Sequence, residues 1–156
     1  MSHKGTKKER EGESLGHEDT KTRKAKVEYK ETSEKEELVA AKIVDAAYSV
    51  HQALGPGLLE KVYETCFCHE LTKRGLSCER QIEVPIKYDG ITFDEGLRLD
   101  VVVEGLVICE LKAADQTNPV WQAQLLSYLK LTGKRIGFLI NFNVPLAKNG
   151  IKRIIL

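Results

Sequence analysis

Aromatic residues are scarce in this 156-residue sequence: Phe, Trp and Tyr make up 6%, with one Trp and one Met. No stretch approaches the roughly 20 consecutive apolar residues that a bilayer span needs. MSHKGTKKER carries no hydrophobic segment of the secretory kind. Membrane and secreted classes are set aside, and a cytoplasmic address is the expectation. A cysteine framework is missing too. Cys66, Cys68, Cys78 and Cys109 are scattered through apolar segments, with no CxxC pair. They read as reduced thiols that behave as small hydrophobes. A zinc site from Cys66, Cys68, His69 and Cys78 is disfavoured, because ligands at i, i+2 on a helix face different ways. No internal repeat is present.

Net charge is almost absent, at +1 from 24 basic and 23 acidic residues, but its distribution is uneven. Residues 1–35 hold ten Lys/Arg and eight Asp/Glu and only five apolar residues, which leaves 14 basic and 15 acidic residues for 36–156. Such a segment cannot bury enough surface to offset its ordering entropy, so a charged, disordered tail is expected over 1–35 and a single domain over 36–156. The near-neutral domain argues mildly against a strongly basic nucleic-acid groove.

From Glu36 the pattern turns helical. Val39, Ile43, Ala46, Val50 and Leu54 recur at spacings of three and four, and Ser33 with Glu36 forms a candidate capping box. Gly55-Pro56-Gly57 stops this helix, and a second is expected over residues 58–74, ended by Gly75. Ile82, Val84, Ile86 and Tyr88 then alternate with polar residues as a strand, with Pro85 marking an edge or bulge. Asp89-Gly90 signals a hairpin into residues 91–93. Further strands are expected over 97–103 and 106–112, and their apolar runs suit central positions. Asn118-Pro119 starts a helix to about Leu131, followed by strands over 136–142 and 151–156. The order ααβββ(β)αββ describes an α/β sandwich, a central mixed β-sheet flanked by helices.

Four features are unusual for pure scaffold. Glu110-Leu111-Lys112 puts a carboxylate and an ammonium on the same face of a buried strand. Asp100 interrupts an apolar run, and buried acids are uncommon unless paired or metal-bound. Glu60 opens the second helix beside Gly57 and Tyr63. Gln124 and Tyr128 share a helix face at i, i+4.

These residues carry a resemblance. Asp100…Glu110-Leu111-Lys112 resembles the PD-(D/E)xK motif of the metal-dependent nuclease superfamily, with Leu99 in place of the proline. Gln124…Tyr128 is similar to the QxxxY helix motif of its exonuclease-type branch. Gly57-Leu58-Leu59-Glu60-Lys61-Val62-Tyr63 resembles the signature of the GxxExxY family in the same superfamily. The resemblance covers residues 36–156 and implies a restriction-endonuclease-like fold and hydrolysis of phosphodiester bonds in DNA or RNA. It further implies Mg²⁺ or Mn²⁺ on Asp100 and Glu110, with Glu60 as a ligand directly or through water. Lys112 would orient the attacking water, and Gln124 and Tyr128 would brace Lys112 or the phosphate. Such an ion lowers the pKa of its water and offsets charge developing on phosphoryl oxygens.

Blander readings stand beside these. Glu110 and Lys112 alone would be an ordinary charge pair. Tyr63 is read as packing its ring while its hydroxyl finds a surface partner. Trp121 and Val120 are read as core or helix interface, with base stacking by Trp121 as the alternative. His51 and His69 are read as structural or solvated. Lys130, Lys134 and Arg135 form a basic cluster that would touch phosphate or complement a helix dipole. The partner expected is nucleic acid, DNA ahead of RNA. The competing function is a silent nuclease-fold module that binds nucleic acid, a protein partner or a second copy in a repair or defence assembly.

Strand register sets a condition. A two-residue Glu104-Gly105 loop would put Asp100 opposite Cys109 and send Glu110 to the other face of the sheet. A shared site therefore requires a three-residue connection or a bulge, for which Gly105 supplies the positive φ.

Overall fold

The computed structural model describes residues 31–156. The element order is α1 (Glu34–Leu54), α2 (Glu60–Lys73), β1 (Cys78–Tyr88), β2 (Ile91–Val103), β3 (Val107–Lys112), α3 (Pro119–Thr132), β4 (Ile136–Asn141), α4 (Ala147–Gly150) and β5 (Ile151–Ile155). Most of the charged tail expected over 1–35 lies outside the described residues. Ser33 caps α1, whose first residue is Glu34. The Ser33 hydroxyl accepts from the Glu36 amide at 3.1 Å while the Glu36 carboxylate accepts from the Ser33 amide at 2.9 Å.

The five strands lie in sequence order β1-β2-β3-β4-β5. Only β3 and β4 run parallel, connected by the α3 crossover, and the other neighbours are antiparallel. Two of the expected strands, over 91–93 and 97–103, are one continuous element, β2. The long hairpin tolerates its irregularity by a register shift between Pro85 and Ile86 on the edge strand β1. The one helix unforeseen in the sequence is the four-residue α4.

Two apolar layers sandwich the sheet. On one face α1 and α2 pack Val39, Ile43, Val50, Phe67 and Leu71 against Val101, Val103, Cys109, Leu111 and Phe138. On the other, Leu125 and Leu129 of α3 cover Val102, Ile108, Leu139 and Ile154. Each fully buried Leu, Ile or Phe contributes about 1.5–3 kcal/mol relative to exposure. The Tyr63 ring belongs wholly to the core, stacked on Phe142 with centroids 4.6 Å apart. Its hydroxyl donates to the Gly55 carbonyl at 2.6 Å and accepts from the amide of exposed Leu58 at 3.1 Å, both in the turn before α2. One buried phenol thus pins the Gly-Pro-Gly turn, whose Gly55 and Gly57 have φ of 64° and 100°, directly before Glu60. His51 is also structural, its Nε2 lying 2.6 Å from the Val144 carbonyl. Val120, by contrast, is exposed.

The β2–β3 connection consists of Glu104, Gly105 and Leu106, with Val103 paired to Val107 and Val101 to Cys109. Glu104 and Gly105 both take left-handed backbone, at φ 55° and 64°, and the Glu104 carboxylate accepts from the Ser77 amide at 2.9 Å. Continued by one residue, this register sets Asp100 opposite Glu110. Replacing Gly105 with valine forces a β-branched residue into left-handed backbone, and should cost about 1–2 kcal/mol or more of stability, read as a lowered urea midpoint. An unchanged midpoint would show that this turn does not hold the register.

Candidate active site

The ladder between β2 and β3 stops at the Val101–Cys109 pair. One step further on, side chains replace backbone. The Leu111 amide donates to Asp100 Oδ2 at 2.9 Å, and the Asp100 amide donates to Glu110 Oε1 at 3.3 Å. Each carboxylate therefore satisfies an amide that the diverging strands leave without a carbonyl, as buried backbone donors require. The two acids meet where the strands splay.

Asp100 sits at a break in the strand's alternation. Val101 and Val103 face the α1/α2 layer, as does Cys78 of β1; beyond Asp100, Leu99 and Leu97 face the α3 layer, as do Ile82 and Val84. Across the ladder Gln81 takes φ 52°, so both strands change face together at the Gln81–Asp100 step. A period-two pattern cannot do this without an irregularity. The Gln81 amide group then donates to Glu64 Oε1 at 2.8 Å, and Arg80 Nε lies 3.6 Å from the same oxygen. Glu64, buried one turn after Glu60, and Gln81 escaped the sequence reading. The i, i+4 spacing of Glu60 and Glu64 was the available signal for the first, and the left-handed Gln81 left none.

Electrostatics show which groups are close. Burial, then the negative charge of Asp100, push the Glu110 carboxyl up to about 8, against a smaller pull from Lys112. Glu60 is raised by partial burial and then by Asp100, with Lys112 opposing. Tyr128 is raised by burial and then by Glu110 and Asp100. Thus α2 brings Glu60 and α3 brings Tyr128 to the same end of β3. Lys112 makes no ion pair among the described residues; its Nζ lies over the Trp121 ring, 5.3 Å from the centroid. Trp121 is half-buried and packs against the α3-side core, as the helix-interface reading expected, with Lys112 over its ring. Gln124 lies one turn before Tyr128, exposed and without a hydrogen-bond partner among the described residues. Buried Asn141, opposite Lys112 on β4, fixes the chain after β3: its side chain accepts from the Ala114 amide at 3.2 Å and donates to the Ala114 carbonyl at 3.0 Å.

The basic cluster is elsewhere. Lys134 and Arg135 precede β4, which runs parallel to β3, so they lie by the start of β3 and away from Lys112. Lys134 donates to the Gly105 carbonyl at 2.7 Å, a turn-to-turn tie. Lys130 lies near Leu126, Ile155 and Leu156, also away from the carboxylates. The cations beside the acids are instead Lys61, Arg80 and Arg98, which line an open cleft with Glu60, Glu64 and Gln81. Hard oxygen donors for a divalent cation are present in Asp100 and Glu110, on facing strands and mutually repulsive. Among the described residues no three His, Cys, Asp or Glu side chains converge as a ready-made set, so the expected triad with Glu60 is not assembled. Two carboxylates plus water suit Mg²⁺, which keeps several waters.

The raised Glu110 carboxyl has a signed consequence. Between its ordinary value of 4.5 and about 8 the folded protein keeps a proton that the unfolded chain has lost. Stability is therefore fully present below the ordinary value and falls as pH rises through the folded one. Without divalent ions, the urea midpoint of the wild type should drop between about pH 5 and about pH 8.5, and Glu110→Gln should flatten that slope and raise the midpoint at the alkaline end. Parallel profiles for the two proteins would contradict this account.

No curated protein and no solved structure matches the sequence. No helix among the described residues is long and apolar enough to cross a membrane. A family model, that of the PD-(D/E)XK nuclease superfamily, matches residues 36–154, the span that contains both strands of the acid pair, Lys112 and the two flanking helices. Members of that superfamily generally use divalent metals. With a five-stranded mixed sheet, a helix crossover between its parallel strands and the family match over most of its length, the chain belongs to the PD-(D/E)XK nuclease superfamily.

Proposed function

We propose that this chain hydrolyses phosphodiester bonds in nucleic acid, DNA ahead of RNA, as a member of the GxxExxY group, with Mg²⁺ or Mn²⁺ held by Asp100 and Glu110. The observation that carries the reading is the reciprocal exchange in which each of these carboxylates accepts a backbone amide beside the other. That exchange fixes two oxygen donors on neighbouring strands and leaves their remaining lone pairs free. When bound, such an ion acidifies a water and offsets charge on the phosphoryl oxygens. Glu60 supports the site from α2, through a water.

The protein's own groups supply the rest. Lys112, steadied by the Trp121 ring, brings an ammonium close enough to pull against the ionisation cost of Glu110 and Glu60. An ammonium there orients an attacking water and favours its deprotonated form. Tyr128, with Gln124 one turn earlier, offers a hydroxyl and an amide from the opposite wall. Lys61, Arg80 and Arg98 in the adjoining cleft provide the phosphate-backbone contacts. In this role they replace the cluster of Lys130, Lys134 and Arg135.

A second reading is a catalytically silent nuclease-fold module whose substrate contact or catalysis comes from a protein partner or a second copy. The absence of a three-donor set among the described residues favours it. Labelled single- and double-stranded DNA and RNA, incubated with Mn²⁺, Mg²⁺ or EDTA, separate the two. Cleavage should require the metal, and Asp100→Asn and Lys112→Ala should each lower the rate by about 10²–10³-fold or more. Equal traces from wild type and both variants would remove the enzymatic reading and leave the binding module.

A further inference from the structure

Two cysteines outside the site are closer than packing explains. Cys68 is buried in the third turn of α2, and Cys78 is the half-buried first residue of β1. Both thiols are free, yet their sulfurs lie 2.6 Å apart. That is far inside the roughly 3.5–4.0 Å at which non-bonded heavy atoms rest, and a short step from the disulfide length of about 2.05 Å. The approach is fixed from both sides. Cys78 is held by its ladder pairing to Val103, and α2 is tied to β1 by Gln81–Glu64 at 2.8 Å and Arg80–Thr65 at 3.1 Å. We propose that Cys68 and Cys78 form a reversible dithiol–disulfide site that staples α2 to the edge strand when the protein meets a hydroperoxide.

The roles of the two sulfurs differ. Cys78 is the more accessible, and its hydrogen bond with Cys68, aided by the Arg80 charge, holds its thiol below the ordinary value. The same bond and burial push Cys68 up. Cys78 is thus the attacking thiolate. Its sulfur takes one oxygen of hydrogen peroxide as the O–O bond breaks, and the departing hydroxide takes up the proton released when Cys78 ionised and leaves as water. Cys68 then attacks the Cys78 sulfenic sulfur; the S–S bond forms, the S–O bond breaks, and the Cys68 proton leaves in a second water. Two thiols lose two electrons and one peroxide becomes two waters. A dithiol reductant reverses the step. Cys109 takes no part, since its full burial pushes the thiol up strongly and excludes reagent.

The test uses the full chain treated with one equivalent of hydrogen peroxide and then a thiol-blocking reagent. Blockable thiols under denaturing conditions should fall from four to two, the intact mass should lose two hydrogens, and dithiothreitol should restore both. Cleavage at Lys73, Arg74 and Arg80 separates the two segments, so the Cys78 peptide should appear joined to the peptide holding Cys66 and Cys68. A Cys66→Ser variant should keep the link and a Cys78→Ser variant should lose it. The oxidised protein should also show a higher denaturation midpoint than the reduced one, because the bridge restricts the unfolded chain. Loss of the link in Cys66→Ser, or separate sulfinic acids at Cys68 and Cys78 with no joined peptide, would overturn the proposal. None of these readouts depends on nuclease activity.

Discussion

The arrangement at the end of β3 depends on where one strand pair stops exchanging backbone hydrogen bonds. Past Val101 and Cys109 the amides of Asp100 and Leu111 would be left without carbonyls, and a buried amide without an acceptor costs about 1–3 kcal/mol. The carboxylates of Glu110 and Asp100 take those two places. The same side chains that close the sheet's hydrogen bonding are therefore the ones that gather negative charge in a buried position. Structure and chemistry share their residues here, so neither acid is replaceable by an apolar side chain of similar size.

That sharing costs stability. Burial, and then Asp100, raise the Glu110 carboxyl to about 8, a departure of the kind found at functional sites. Lys112 relieves it only in part, because its ammonium rests on Trp121 and contacts neither carboxylate as an ion pair. A divalent cation would relieve the repulsion more fully. The scaffold is rigid enough to hold the strain: both strands lie under buried layers on each face, and the turn before Glu60 is clamped by a buried tyrosine.

Much of this was legible in the sequence, for identifiable reasons. Ser33-Glu36, Asn118-Pro119 and the apolar stripe of α1 are local signals, and local signals carry over to structure. The condition on the Glu104–Leu106 connection was readable because period-two geometry leaves only two faces. What escaped reading depends on tertiary contacts. The face change at Gln81 and Asp100 involves left-handed backbone at a glutamine, which no composition rule announces. The packed ring of Tyr63 was legible, but not that its hydroxyl clamps Gly55 and Leu58, because those partners are backbone atoms of its own preceding turn. Lys130, Lys134 and Arg135 looked like one patch because they are near in sequence; the parallel crossover carries that segment to the opposite end of β3 from Lys112. Lys61, Arg80 and Arg98 escaped reading because they come from three different elements.

This last contrast bears on how the near-neutral charge should be weighed. Charges on a protein surface are screened beyond a Debye length of about 8 Å at physiological salt, so a polyanion senses what lines the cleft and little else. Lys61, Arg80 and Arg98 share that cleft with Glu60, Glu64 and Gln81. Glu64 and Arg80 pair with each other, so their charges cancel within the cleft and leave Lys61 and Arg98 against Glu60. The net figure, close to zero, averages this cleft with exposed pairs such as Glu37–Arg153, whose charges cancel far from it. On the proposed reading, a domain near neutral overall still presents a small local excess of cations to a phosphate backbone in this cleft. In this fold that local imbalance arises because the bend at Gln81 carries β1 and β2 past the start of α2, bringing three cations from separate elements to the edge of the acid pair.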